Sequence, residues 1–405
     1  MVLVGIDWAD ASHTYCLMDE AGTVLTSGSV AHTAEGLDHL IVVIRTHAAT
    51  PQDVCVALET RQGPLVGALL DQGFTVYAIN PKAVERHRER FRVAGAKSDL
   101  QDAWVLATLL RTDRALYRPI RPDSETAQEL RTLTRDRAEL VRTHTMLSNQ
   151  LTSCLKAYFP EFLTLFDDPQ CPTALAALQA FPTLEALRKA PRRRLEVLLR
   201  RHHYPGAAAK AEEIHRTLHQ RTFQIPPVVI RTKARLAVTL ACQLATLDDQ
   251  IAAYEAEIRR VLKTHPDGAL YQSLPGAAEI TAARMVGELG DNGDRCSDAA
   301  IAQCEAGTAP VTRQSGTTRI VRVRRACIHP LRETLWHFAF SSIRWCAWAK
   351  EYYARARARG KKHAETVRML ANVWLRIIIA MRRDRRPYDE TIFLRARAAH
   401  LAPAS

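Results

Sequence analysis

Residues 2–30, VLVGIDWADASHTYCLMDEAGTVLTSGSV, decide the fold class. MVLVGIDWA (1–9), with Asp7 at the end of its apolar run, reads as a buried strand, and HTYCLMDE (13–20) reads as a second. A turn at Ala21-Gly22 leads to a third, TVLTSGSV (23–30). Three such segments joined by short turns form an antiparallel meander. Next, AEGLDHLIVVIRTHA (34–48) carries apolar residues at helical spacing. DVCVALET (53–60) reads as a strand, GPLVGALLDQG (63–73) as a short helix closed by Gly73, and FTVYAIN (74–80) as a strand stopped by Pro81. SDLQDAWVLATLLRT (98–112) is a helix with Ser98 placed as its N-cap. The order βββαβαβα over 1–122 predicts a mixed α/β sheet with covering helices.

From Asp123 to about residue 268 the pattern is long helix. Leu133, Leu140, Leu147 and Cys154 recur every seven residues, as do Leu130, Leu151 and Tyr158, with Arg137 and His144 as polar interruptions. A second seam runs through Leu240, Leu244, Leu247, Ile251, Tyr254, Ile258 and Val261. Both suit coiled-coil packing, with each other or across a dimer, and suit core helices of a bundle nearly as well. Between them RKAPRRRLEVLLRRHHYPG (188–206) reads as a basic helix pair broken by prolines. A third, mostly helical region spans 269–392, followed by a tail, 393–405. In it LPGAAEITAARMVGELGD (274–291) reads as two short helices around a glycine-containing turn, a helix-hairpin-helix.

The chain has 405 residues, 47% hydrophobic and 24% charged, with a net charge of +13. The pI is near 9.5. Such a surplus, clustered as it is here, favours a polyanion: nucleic acid first, an anionic membrane surface second. Nine cysteines are scattered without CxxC spacing, and fifteen histidines form no HExxH pattern. That speaks for free thiols in a reducing compartment and against a disulfide framework or zinc site. MVLVGIDWAD lacks the features of a signal peptide, and VWLRIIIAM (373–381) is too short to cross a bilayer and contains Arg376. These features place the protein in the cytoplasm, or on the nucleoid, with no membrane partner.

The acids are the chemistry. Asp7 ends the first strand, Glu59 ends the fourth, and Asp99 and Asp102 lie one helical turn apart at the start of the helix after the fifth. In a βββαβαβ sheet of the ribonuclease H kind the first and fourth strands are neighbours, so their carboxylates face a helix laid across the same edge. Four oxygen donors converging there suit one or two Mg²⁺ ions, which clamp the attacking and leaving oxygens of a phosphodiester displacement. Taken singly, each acid is a turn former, a cap or an offset to the helix dipole; their joint placement points to a metal site.

GIDWA (5–9), ALET (57–60), INPKAVERHRERF (79–91) with AKSDLQDAWVLA (96–107), LPGAAEITAARMVGELGD, AGTAPVTRQSG (306–316) and LANVWLRIIIAMRRDRRPYD (370–389) stand in the order of a known family. The chain resembles bacterial insertion-sequence transposases with an N-terminal RuvC-like DEDD domain and a C-terminal serine domain. These are bridge-RNA-guided recombinases related to Piv-type DNA invertases. The resemblance implies that Asp7, Glu59, Asp99 and Asp102 are the DEDD ligands and that Ser315 is a nucleophile. It also implies donor and target DNA and a bridge RNA as partners. A serine hydroxyl needs a proton acceptor and cations around the phosphoryl oxygens. Arg313, Arg319, Arg322, Arg324 and Arg325 surround Ser315, which lies beside Gly316 in an expected turn. Lys361 and Lys362 add to the nucleic-acid-binding set. Ser341 and Ser342 are rivals, but they lie in an apolar-aromatic helix. Two departures stand out: Ala278 replaces a glycine of the Leu-Pro-Gly-x-Gly turn, and GTTRIVRVRRACIHP (316–330) lacks the glycine-rich basic loop common in relatives.

Three functions compete. In the first, a recombinase, the acids hold Mg²⁺ and Ser315 forms a covalent bond to DNA. The acidic site and Ser315 must then meet in space, which, with the seams, favours a homo-oligomer, a dimer or tetramer. In the second, a RuvC-like nuclease, water is the nucleophile. The third is a non-catalytic nucleic-acid-binding protein with structural carboxylates.

Overall fold

The computed structural model describes residues 1–61, 63–89, 98–218, 223–293 and 298–401, with side chains through 395. Lys97, Cys296 and the end of the expected tail, 402–405, lie outside the described residues. The chain divides into two compact units, Met1–Pro122 and Asp123–Ser405.

The first unit is built on β1 (Val2–Trp8), β2 (Ser12–Met18), β3 (Val24–Ala31), β4 (Val54–Leu58) and β5 (Thr75–Ala78), in the order β3-β2-β1-β4-β5. The meander β1-β2-β3 is antiparallel, while β4 and β5 run parallel to β1. Two helices, α1 (Ala34–Thr46) and α2 (Pro64–Asp71), accompany the sheet core formed by Val4, Ile6, Leu17, Val56 and Leu58. On the other face α3 (Pro81–Glu89) and α4 (Asp99–Asp113) pack with Leu3, Cys16, Cys55 and Ala57. Gly5 makes this second layer possible. A Cβ there would overlap the Ala103 carbonyl oxygen and the Ala107 nitrogen, so α4 can cross β1 only over a glycine.

The sequence reading stops the fifth strand at Pro81 and resumes at the helix from Ser98, and so omits α3. Here Pro81 starts a helix, because its missing N–H would be unsatisfied in the first turn anyway. Asn80 supports that start, its Oδ1 accepting from the Lys82 N–H at 2.9 Å. Only Val84 and His87 of α3 are buried, too few to give the basic segment a readable apolar stripe.

Among its described residues the second unit is built of helices and one hairpin. An antiparallel pair, α5 (Glu125–Tyr158) and α10 (Pro227–Thr264), packs along its length. The two heptad seams therefore meet each other within one chain. The polar interruptions have partners across the pair: Arg137 Nε donates to Glu255 at 3.0 Å, and His144 Nε2 lies 3.1 Å from Asp248. A register slip would break both.

Between the long helices lie α6 (Pro172–Ala180), α7 (Leu184–Lys189), α8 (Arg192–Arg201) and α9 (Ala207–Leu218). They form one hydrophobic centre with Leu151, Tyr158 and Leu244. The opposite ends of the pair, Leu130 and Ile258, enter a second centre. It is completed from α11 (Gly268–Gln272), α12 (Glu279–Leu289), α13 (Ala299–Glu305), α14 (His329–Trp345), α15 (Ala347–Ala358) and α16 (His363–Asp384). A last helix, α17 (Glu390–Leu401), crosses the expected tail boundary at 393, and Phe393 stacks 4.3 Å from Trp348.

The motif ending at Asp291 is a packing motif. A Cβ on Gly287 would stand 2.7 Å from Arg131 Cα, so α12 meets α5 backbone to backbone. Glu288, 1% exposed, receives both Arg135 Nε and Nη2, at 2.7 and 2.8 Å. A fork of this kind satisfies a carboxylate that burial would otherwise penalise.

Candidate functional site

The parallel register of β1 and β4 pairs Ile6 with Leu58. The next residues are Asp7, half-buried, and Glu59, exposed, side by side at the C-terminal ends of neighbouring strands. Strand alternation puts Leu3, Gly5 and Asp7 on one face together with Cys55, Ala57 and Glu59. That face carries α4. Ser98 Oγ accepts from the Gln101 N–H at 3.3 Å, so the helix begins where its sequence predicts. Asp99 and Asp102 occupy its first turn, Asp99 exposed and Asp102 4% exposed.

The sequence reading missed the partner of Asp102. Arg88, near the end of α3, places Nη2 2.5 Å from Asp102 Oδ1. Its signal was the omitted helix: once 81–89 is helical, a run of cations leads to the base of α4. Among the described residues no three acidic, histidine or cysteine side chains are gathered so as to hold a metal ion. The donor chemistry and the shared face fit a hard divalent cation, whereas Asp102 is engaged by a guanidinium.

Ser315 lies in a different setting. It is the last residue of β6 (Val311–Ser315), which pairs with β7 (Thr318–Arg322) through Ser315 and Thr318. The expected turn thus begins one residue later. Gly316 takes φ +54°, the first central position of a two-residue hairpin loop, where glycine is favoured. The register puts Arg313, Ser315, Thr318, Ile320 and Arg322 on one face of the ribbon and Arg319 on the other. Every ribbon residue but Val311 is exposed, so neither face has a core to cover.

Beyond the ribbon, Arg325 is exposed, whereas Arg324 is half-buried and its carbonyl accepts from Arg332. Lys361 bonds Glu365 at 2.8 Å, and Lys362 is exposed at the start of α16. The rival serines are occupied. Ser341 Oγ donates to the Gly276 carbonyl at 3.1 Å, and fully buried Ser342 accepts from Trp374 Nε1 at 2.9 Å.

A mixed sheet of this order, with acids at the ends of neighbouring strands and a helix across them, is consistent with an RNase H-like DEDD domain. Comparison with known families agrees: a DEDD transposase model of the IS110 type matches residues 4–160. A second model, "Transposase IS116/IS110/IS902 family", matches 268–354. The chain is 32% identical over 401 residues to the "Mini-circle putative transposase for IS117" of Streptomyces coelicolor, covering 96% of this chain and 95% of that one. It is 29% identical over 391 residues to an IS116 insertion-element protein of Streptomyces clavuligerus, covering 95% of each. The chain belongs to the IS116/IS110/IS902 family of insertion-sequence transposases. Membership implies DNA-cleaving and rejoining activity, and the DEDD domain implies dependence on a divalent metal. No helix among the described residues is long and apolar enough to cross a membrane.

Proposed function

We propose that this transposase is a serine recombinase of the bacterial cytoplasm that moves its element through a covalent protein–DNA intermediate. Ser315 Oγ bonds to a phosphorus of the DNA backbone as a deoxyribose oxygen leaves, and the hydroxyl proton ends on that oxygen. The reverse reaction on another strand restores the phosphodiester and frees the serine, with no net hydrolysis. Asp7, Glu59, Asp99 and Asp102 are the residues that would hold Mg²⁺. When bound, that ion supplies charge neutralisation at the phosphoryl oxygens. With such an ion held there, Asp102 would give up its contact with Arg88.

One observation carries the choice of serine. Ser315 is exposed on a ribbon face it shares with Arg313 and Arg322, while Ser341 and Ser342 are hydrogen-bonded into α14 and its neighbours. Arg313, Arg319, Arg322, Arg325 and Lys362 present cations to DNA. A structured guide RNA and a homo-oligomeric assembly belong to the same proposal, supported by the net charge of +13 and the family resemblance.

The test is a denaturing gel of protein incubated with donor and target DNA, guide RNA and Mg²⁺. A covalent adduct that disappears in Ser315→Ala is expected. Strand transfer by Ser315→Ala would overturn the assignment in favour of water as nucleophile.

A further inference from the structure

A cavity of about 870 Å³ opens between α15, α16 and α17 in the second unit. Its floor is apolar and partly aromatic, with Tyr352, Val373, Ile377 and Phe393 among its walls. Its rim carries Arg355, Arg359, Arg376 and Arg386, all exposed. Arg359, Arg376 and Arg386 make no ion pair among the described residues. The two rim acids have other hydrogen-bond partners: Asp384 accepts from Arg383 Nε at 2.8 Å, though its charge also acts on Arg386, and Asp389 accepts from the Thr391 hydroxyl at 2.7 Å. Arg376, Arg355 and Arg359 act electrostatically on the Tyr352 phenol, which burial pushes up. A second cavity, about 310 Å³, shares Tyr352, Val373 and Arg376 as walls and is also lined by Pro310 and Val321, at the base of the ribbon that carries Ser315.

The geometry points to a binding cleft for an unpaired nucleotide of single-stranded DNA, its base on the Tyr352–Val373–Phe393 floor and its phosphates on the arginine rim. An aromatic, apolar floor accepts the π-face of a base, and guanidinium groups pair with phosphodiester oxygens. A purely apolar occupant would leave Arg359 and Arg376 unused, and a duplex would present no free base to the floor. Unpaired DNA is what strand cleavage and exchange create, so the assignment rests on the proposed recombinase reading and adds a site to it. The walls the two cavities share, Tyr352, Val373 and Arg376, put the second, ribbon-side cavity next to this cleft.

The experiment uses the full-length protein and a short fluorescent oligothymidylate, compared with the same backbone made abasic. The intact oligonucleotide is expected to bind about tenfold more tightly. Val373→Trp, which fills the floor, should erase that difference while leaving abasic binding unchanged. Arg376→Ser should weaken both and flatten the salt dependence. Should Val373→Trp fail to fold, Phe393→Ala reads the same base discrimination from the edge of the cleft. Equal binding of intact and abasic strands by the parent protein overturns the proposal, as does discrimination that survives in the folded floor variant. Tighter binding of oligouridylate than of oligothymidylate overturns the assignment to DNA. Ser315→Ala should keep full base discrimination, so the cleft and the nucleophile fail separately.

Discussion

Asp7 and Ser315 each stand close to a glycine, and the two glycines act differently. Gly5 is buried under α4 and leaves no room for a side chain. Gly316 has nothing within 4 Å of the position a Cβ would take, and matters only through its φ of +54°. The acids are thus placed by tertiary packing, where a helix pressed on a strand sets which carboxylates share a face. The serine is placed by a local turn on a ribbon with no core beneath it. A two-stranded ribbon is marginal by itself, so its order depends on what covers it. The packed sheet and helix fix where the acids stand, whereas the serine depends on a hairpin without a core of its own.

The largest expected effects test the two groups as chemistry. Asp102→Asn and Ser315→Ala should each reduce strand transfer by about 10³-fold or more, with Ser315→Ala leaving the melting temperature unchanged. Activity within tenfold of the parent for either variant would remove that residue from the reaction.

Next in size is the contrast between the glycines. Gly5→Val should destabilise the first unit by about 3 kcal/mol or more, because α4 must move off β1. Gly316→Val should cost about 1–2 kcal/mol of ribbon order at most, through left-handed backbone strain. Thermal melts of both variants check this, and similar melts would refute the distinction between packed and local placement.

A smaller effect concerns Arg88. Arg88→Gln takes a guanidinium from a buried carboxylate and should lower stability by about 1–3 kcal/mol in the absence of divalent metal. Added Mg²⁺ should then raise the melting temperature of the variant more than that of the parent. An equal response would mean that Arg88 does not compete for the site.

The smallest effects lie in the long helix pair and have opposite signs. Burial pushes the Glu255 carboxyl up, but Arg137 and Arg259 outweigh it and hold it below its ordinary 4.5. The fold therefore favours ionised Glu255. Its contribution is present above pH 4.5 and is lost as the pH falls through the lower folded value. Burial raises Asp248 above 3.8 despite His144, so its contribution is present below that pH and lost as the pH rises through the folded value. Glu255→Gln should cost about 0.5–1 kcal/mol at neutral pH and less in acid, whereas Asp248→Asn should cost nothing at neutral pH. Denaturant melts at two pH values separate them.

Much of this was legible in the residues. The strand runs ending at Asp7 and Glu59, the Ser98 cap and the two seven-residue seams all stand where their patterns place them, because capping and alternation are local properties. The helix over 81–89 was hidden by its charge, and the ribbon by alternation without a buried face. Arg137 and His144 looked like flaws in a seam until Glu255 and Asp248 were opposite them.

By itself, then, the sequence determined the five strands of the first sheet, the acids at the strand ends and the net basic charge. The tertiary structure decided which seam meets which, that Arg88 holds Asp102, and that arginines from α15 and α16 and the segment before α17 ring one apolar cleft. The physical reason is the range of the interactions. Periodicity and caps act within a few residues, but an ion pair or a cleft wall joins residues whose separation along the chain carries no signal until the core has brought them together.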